Sequence, residues 1–269
     1  MTSDTGHAVA AAERQDAIRI VPLHTDPSVR AALPGAAPAP PPLLTYRGGS
    51  LLASVKVFTV YWGAAWSTSP LADTAAQLDA FFDTVLVGGL MDQLAEYSTG
   101  GYQIGHGSRI GRAVVSRPAP HTVVTDTGVR RLLQHQLATS GSGFPAPDAN
   151  TLYFVYTPPG TAVVAGGSRS CQAFCGYHNA FTDHGGSQVC YAVMPYPGCQ
   201  GCTGGLAPFD ALTATSSHEL CEAITDPVPG TGWYDDNHGE IGDICAWQTR
   251  SLDGYTVQLE WSNADNACR

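Results

Sequence analysis

Two hydrophobic periods alternate along this chain. The run VKVFTVYW (Val55–Trp62) is β-branched and aromatic almost throughout, which predicts a buried strand. DTAAQLDAFFDTVLVGGL (Asp73–Leu90) repeats its apolar residues at helical spacing, with Gly88-Gly89 as a stop. LMDQLAEYS continues as a short helix. IGRAVVS (Ile110–Ser116) predicts a strand, and TGVRRLLQHQLATSG a helix from Thr127. TLYFVYTP (Thr151–Pro158) and VCYAVMPY (Val189–Tyr196) predict two further strands, separated by a Gly/Ser/Cys-rich loop region. FDALTATSSHELCEAITDP predicts a long helix, with Asp210 as N-cap and Pro227 as stop. YTVQLEWS closes the chain as a strand. Interleaved strands and helices imply an α/β or α+β layer fold around a central sheet.

Residues 1–44 read as a separate segment ending in AALPGAAPAPPPLL, an extended Ala/Pro linker. It is expected to be a propeptide, tether or tail, with the folded domain spanning 45–269. Hydrophobic residues make up 43% and charged ones 13% of the chain, a globular balance. The formal net charge is −10 and no basic run occurs, which argues against nucleic acid or an anionic membrane as partner. An acidic surface favours cations or basic substrates instead. No apolar run reaches the length of a membrane span. A monomer is expected.

All eight cysteines lie after residue 170. An even count in a Gly- and Pro-rich chain of low charge predicts disulfides and secretion. The alternative for Cys171, Cys175, Cys199 and Cys202 is a structural zinc site. The start, MTSDTGHAVAAAERQDAIR, has no apolar signal region, so an exported form is expected to have lost its leader beforehand.

The candidate chemistry lies in SSHELCEAITDP (Ser216–Pro227). Residues four apart on a helix differ in direction by roughly 40°, so His218 and Glu222 can grip one ion. Glu219, offset to the side, can reach the water that attacks a substrate. Leu220 and Ile224 point away, giving the helix one core face and one cleft face. This is the logic of the H-E-x-x-H zinc helix with a carboxylate as its last ligand, and Zn²⁺ accepts carboxylate oxygen. The bland reading is a solvated helix face. GWYDDNHGEIGDIC follows, with Asp235, Asp236, His238, Glu240 and Asp243. Asp243, beside Cys245, is the expected third ligand, with Glu240 and His238 as competitors. A Ca²⁺ site on the acidic stretch 235–243 is an alternative, although the EF-hand pattern is absent. Tyr234 or His238 is placed to steady an oxyanion. His178 and His184 read as structural or exposed. No nucleophile elbow, Walker loop or dinucleotide fingerprint occurs.

Four stretches together resemble the exordium, or phosphate-induced, family of secreted proteins: LLTYRGGSLL…VKVFTVYWGAAW, CQAFCGYHNAF, PGCQGC and ITDP…GEIGDIC. They span residue 43 to about 247. The plant members are extracellular wall proteins linked to growth, without an established enzymatic activity. With His218, Glu219 and Glu222, this chain looks like a bacterial-type relative that has a zincin-like site. The resemblance implies secretion and a single domain, and carries no substrate with it. The expected function is a secreted zinc metallopeptidase: His218, Glu222 and Asp243 hold Zn²⁺, and Glu219 is the general base toward a peptide or protein substrate. The rival is a non-enzymatic extracellular binding protein with a structural metal.

Overall fold

The aromatic, β-branched run lies inside a six-stranded sheet. The computed structural model describes residues 21–23 and 40–269; most of the Ala/Pro-rich segment lies outside them. Strands β1 (Val21–Pro22), β2 (Lys56–Trp62), β3 (Ser108–Val115), β4 (Thr151–Tyr156), β5 (Phe174–Thr182) and β6 (Gln188–Met194) bond in the order β1-β5-β6-β4-β2-β3. The four strands β6, β4, β2 and β3 are parallel. Strand β5 runs antiparallel to β6, and β1 antiparallel to β5.

Parallel neighbours need crossovers. Helix α1 (Leu71–Val85) carries the chain from β2 to β3, and α2 (Asp126–Ala138) from β3 to β4. The strand period of two sends alternate residues to opposite faces. Val57, Tyr61, Leu152 and Phe154 therefore pack with Leu78, Phe81, Phe82 and Val85 of α1. Phe58, Val60, Tyr153 and Val155 pack on the other side with Val129, Leu132 and Leu133 of α2. The result is an α/β layered fold with a mixed sheet.

The long helix predicted around His218 is α3 (Pro208–Thr225), and it joins the α1 layer through Leu212, Leu220 and Ile224. It starts two residues before Asp210, with Ala207 as N-cap. Pro208 suits the first helical position because its missing N–H would be unbonded there anyway. Asp210 sits in the first turn and accepts from the Thr256 hydroxyl at 3.1 Å.

Three further boundaries differ from the sequence reading. Helix α1 ends at Val85, ahead of the two glycines, and Gly88 flanks a separate short helix at Gly89–Leu94. Phe174–Thr182, read as loop, is strand β5. YTVQLEWS breaks in two: Tyr255–Gln258 forms a hairpin with Thr249–Leu252, whereas Trp261–Ser262 pairs with Ala267–Cys268.

The cysteines form disulfides Cys171–Cys199, Cys175–Cys202 and Cys245–Cys268, leaving Cys190 and Cys221 as buried thiols. The candidate zinc thiolates are thus spent on two bridges. Loops of this size gain about 3 kcal/mol each from closure, and three bridges fit an oxidising compartment. No helix among the described residues is long and apolar enough to cross a membrane. Part of the first 44 residues also joins the sheet. Val21 is buried against Cys175 and Cys202, and Trp247 Nε1 donates to the Pro22 carbonyl at 2.9 Å.

Candidate metal centre

Helix α3 is buried without a break from Ala211 to Thr225. The cleft face expected from the sequence is therefore covered. Its small hydroxyl residues explain how a polar helix tolerates this. Ser217 and Thr225 return their O–H groups to the carbonyls of Ala214 and Cys221, both at 2.8 Å. Thr213 donates to Thr256 O at 2.7 Å, and Ser217 Oγ accepts from Gln258 N at 2.9 Å. Ser216 meets the Tyr156 hydroxyl at 2.8 Å on the sheet side. Short, self-satisfied side chains let the sheet and the 249–258 hairpin close on the helix from both sides.

Inside that enclosure, His218 Nε2 lies 2.9 Å from Glu222 Oε1. The ligand atoms of His218, Glu222 and Asp243 all lie within 4.8 Å of one another. Asp243 arrives on the short helix α4 (Ile241–Ile244), where its Oδ2 accepts from Glu240 N at 3.2 Å. The spacing of GEIGD follows from this approach. Gly239 has φ +91°, and a Cβ there would stand 2.2 Å from Asp243 Oδ2. A Cβ on Gly242 would stand 2.8 Å from the His218 ring. Only glycine lets the backbone come so close at either position.

A second histidine shares the enclosure. His178, on β5, is fully buried; its Nδ1 lies 3.1 Å from Glu219 Oε2 and 3.4 Å from Glu222 Oε2. Its Nε2 lies 3.4 Å from Glu240 Oε1 and 3.1 Å from the Asp226 carbonyl oxygen. His178, Glu222 and Glu240 also have ligand atoms within 4.8 Å of one another. The sequence reading seats His178 in a loop, because Phe174, Tyr177 and Phe181 stand three and four apart and lack the period of two that marks a strand.

These side chains carry unspent bonding capacity. Both His218 nitrogens, Glu219 Oε1, Glu222 Oε1 and both Glu240 oxygens are buried with no hydrogen bond. His218 and Glu222 are close but not in hydrogen-bonding direction, as two ligands turned toward a common point would be. Leaving such groups unbonded costs about 1–3 kcal/mol each, more if charged. The donor set of imidazole and carboxylate suits zinc, so these residues fit a divalent ion.

Without an ion the cluster shares protons. Burial raises every carboxyl here, yet His218 and His178 beside Glu222 outweigh burial and hold it at about 2. Burial, and Glu222 next to it, push Asp243 up to about 7. Burial raises Glu219, and burial with Glu222 lifts Glu240 well above the carboxylate range. Burial opposes charge on His218 and His178, but the surrounding carboxylates win and raise both well above ordinary histidine. A cation entering the cluster would displace those protons.

The rest of the acidic stretch serves other ends. Asp235 accepts from the backbone of Asn237, His238 and Leu43, and its Oδ1 lies 3.0 Å from His238 Nδ1. Asp236 pairs with Arg47. The four carboxylates of 235–243 are thus not gathered around one point, as the Ca²⁺ alternative requires; only Glu240 and Asp243 join the cluster. His238 is tied into its turn, Tyr234 lies under the Arg47 guanidinium, and His184 is exposed on the β5–β6 loop. A scan of the chain against protein-family models matches none, and a search of the curated proteins finds no match.

Proposed function

We propose that the chain is an exported zinc-dependent hydrolase of peptide bonds, a bacterial-type relative of the exordium family. His218, Glu222 and Asp243 hold the ion and Glu219 is the general base. The supporting observation is the buried, unbonded Glu219 Oε1 on the same helix as His218 and Glu222, whose ligand atoms lie within 4.8 Å of one another and of Asp243's. A zinc ion in that place supplies Lewis acidity and lowers the pKa of its water to near neutrality. Glu219 is set up to take a proton at Oε1. Its other oxygen is held by His178, and burial lifts its pKa toward the working range of a base. Three disulfides agree with export.

Complete burial of His218 and Glu219 favours a second reading: a closed structural ion in an extracellular binding protein. Metal analysis of the purified protein, with a peptide-library cleavage assay run with and without chelator, separates the two. Chelator-sensitive cleavage supports the hydrolase. Bound metal with no cleavage, and four protein ligands around it, supports the binder. No bound metal overturns both.

A further inference from the structure

We propose that the cluster holds two divalent ions, with the Glu222 carboxylate bridging them. This rests on the reading that His218, Glu222 and Asp243 take the first ion. Glu222 turns Oε1 to His218 Nε2 at 2.9 Å and Oε2 to His178 Nδ1 at 3.4 Å. One carboxylate therefore offers an oxygen to each of two imidazoles, one from α3 and one from β5. His178, Glu222 and Glu240 make up the second ligand group, all three buried.

Three observations give that group an ion of its own. First, an ion on His218, Glu222 and Asp243 leaves Glu240 unserved: it is fully buried and neither oxygen has a hydrogen bond. Second, His178 Nε2 faces the Asp226 carbonyl oxygen at 3.1 Å, an acceptor that only an N–H satisfies. Its Nδ1, on the other side of the ring, points at oxygens of Glu219 and Glu222 at 3.1 and 3.4 Å. An imidazole whose far N–H is bonded to a backbone carbonyl is the usual arrangement of a metal-ligating histidine. Third, no Lys or Arg among the described residues is within ion-pair distance of Glu219, Glu222, Glu240 or Asp243. Mixed imidazole and carboxylate donors suit Zn²⁺ at both positions.

The test is zinc stoichiometry on the full chain, loaded with Zn²⁺ alone and dialysed, with near-UV circular dichroism to check folding. Wild type is expected to hold two zinc ions. His178→Gln, Glu240→Gln and Asp243→Asn should each hold one, and Glu222→Gln none, because Glu222 serves both groups. X-ray absorption on the wild type provides a readout independent of any variant's folding, with a Zn···Zn vector at about 3.5–4 Å expected. One zinc in the wild type, lost in Asp243→Asn but kept in His178→Gln and Glu240→Gln, overturns the second ion and leaves the first reading standing. One zinc lost in His178→Gln and Glu240→Gln but kept in Asp243→Asn overturns both. So does a wild type without zinc, in which case a proton occupies the His178–Glu222 contact.

Discussion

Two buried carboxylates elsewhere in the molecule show what the site lacks. Asp79, under the sheet, receives the hydroxyls of Thr59 at 2.7 Å and Tyr61 at 2.9 Å, and Arg112 at 2.9 Å. Asp126 receives Tyr177 at 3.0 Å and Tyr191 at 2.5 Å, with Arg130 at 2.8 Å. Each is ringed by donors, two neutral and one cationic. Glu222 and Glu240 meet histidine nitrogens and one another instead, with no arginine or lysine, and Glu222 Oε1 and both Glu240 oxygens have no hydrogen bond. Asp79 and Asp126 find their partners within the chain, whereas the unbonded oxygens of Glu222 and Glu240 belong to groups that could hold a cation.

The comparison breaks most readily at Glu222. Glu222→Gln should abolish zinc binding and with it any zinc-dependent rise in melting temperature; retained zinc would show that the orphaned atoms are not ligands. Next in size is Glu219→Gln. On the hydrolase reading it keeps metal and cleaves at least about a hundredfold more slowly, as loss of a general base does; equal cleavage rates would remove Glu219 from the mechanism. Asp79→Asn tests the opposite kind of acid. It should leave zinc content unchanged and lower unfolding free energy in urea by about 2–3 kcal/mol, since bonded donors lose their charged acceptor. A drop in zinc content would show that the two kinds of acid are not separate.

The smallest expected effect is the response to pH. Asp243 titrates near 7 in the metal-free fold, above its unfolded value. The fold thus binds that proton more tightly than the unfolded chain does. Its contribution to metal-free stability is complete in acid, and falls as pH rises from the carboxylate range through about 7. Zinc competes with this proton and with that of His218, so affinity should rise with pH by at least about tenfold per unit below 7. Zinc titrations and urea melts of chelated protein across that range measure both, and a flat affinity would exclude Asp243 from the ligands.

Periodicity made much of the fold legible. β2, β4, β6 and the three long helices announce themselves because both faces of a parallel sheet are covered and its strands read as continuous apolar runs. β5 was hidden because FCGYHNAFT mixes Cys, Gly, His and Asn between two disulfides, and a strand lining a polar centre loses the apolar signature. The same cause hid His178. The helix motif disclosed His218, Glu219 and Glu222, since three residues on one turn need no tertiary knowledge to be placed. Whether Glu240 or Asp243 approached them depended on the turn at Gly239 and on helix α4, which no local pattern encodes, and the structure brings both. Complete burial of α3 was also illegible, because its polar residues satisfy their own helix or the adjoining hairpin rather than water.

Strand β1 is joined to its domain through residues 24–39 alone; no cysteine precedes residue 171 to hold it otherwise. While the backbone is whole, Val21 and Pro22 stay covalently tied to the chain that carries β5. A single backbone cut there leaves the strand held by contacts alone, among them buried Val21, the packed Leu23, two ladder positions and the Trp247 bond. Its departure leaves Phe174 and Gly176 as an open edge, ready to pair with an extended segment of another chain. Whether this edge belongs to the molecule alone or is offered to neighbours thus depends on the continuity of one stretch of backbone.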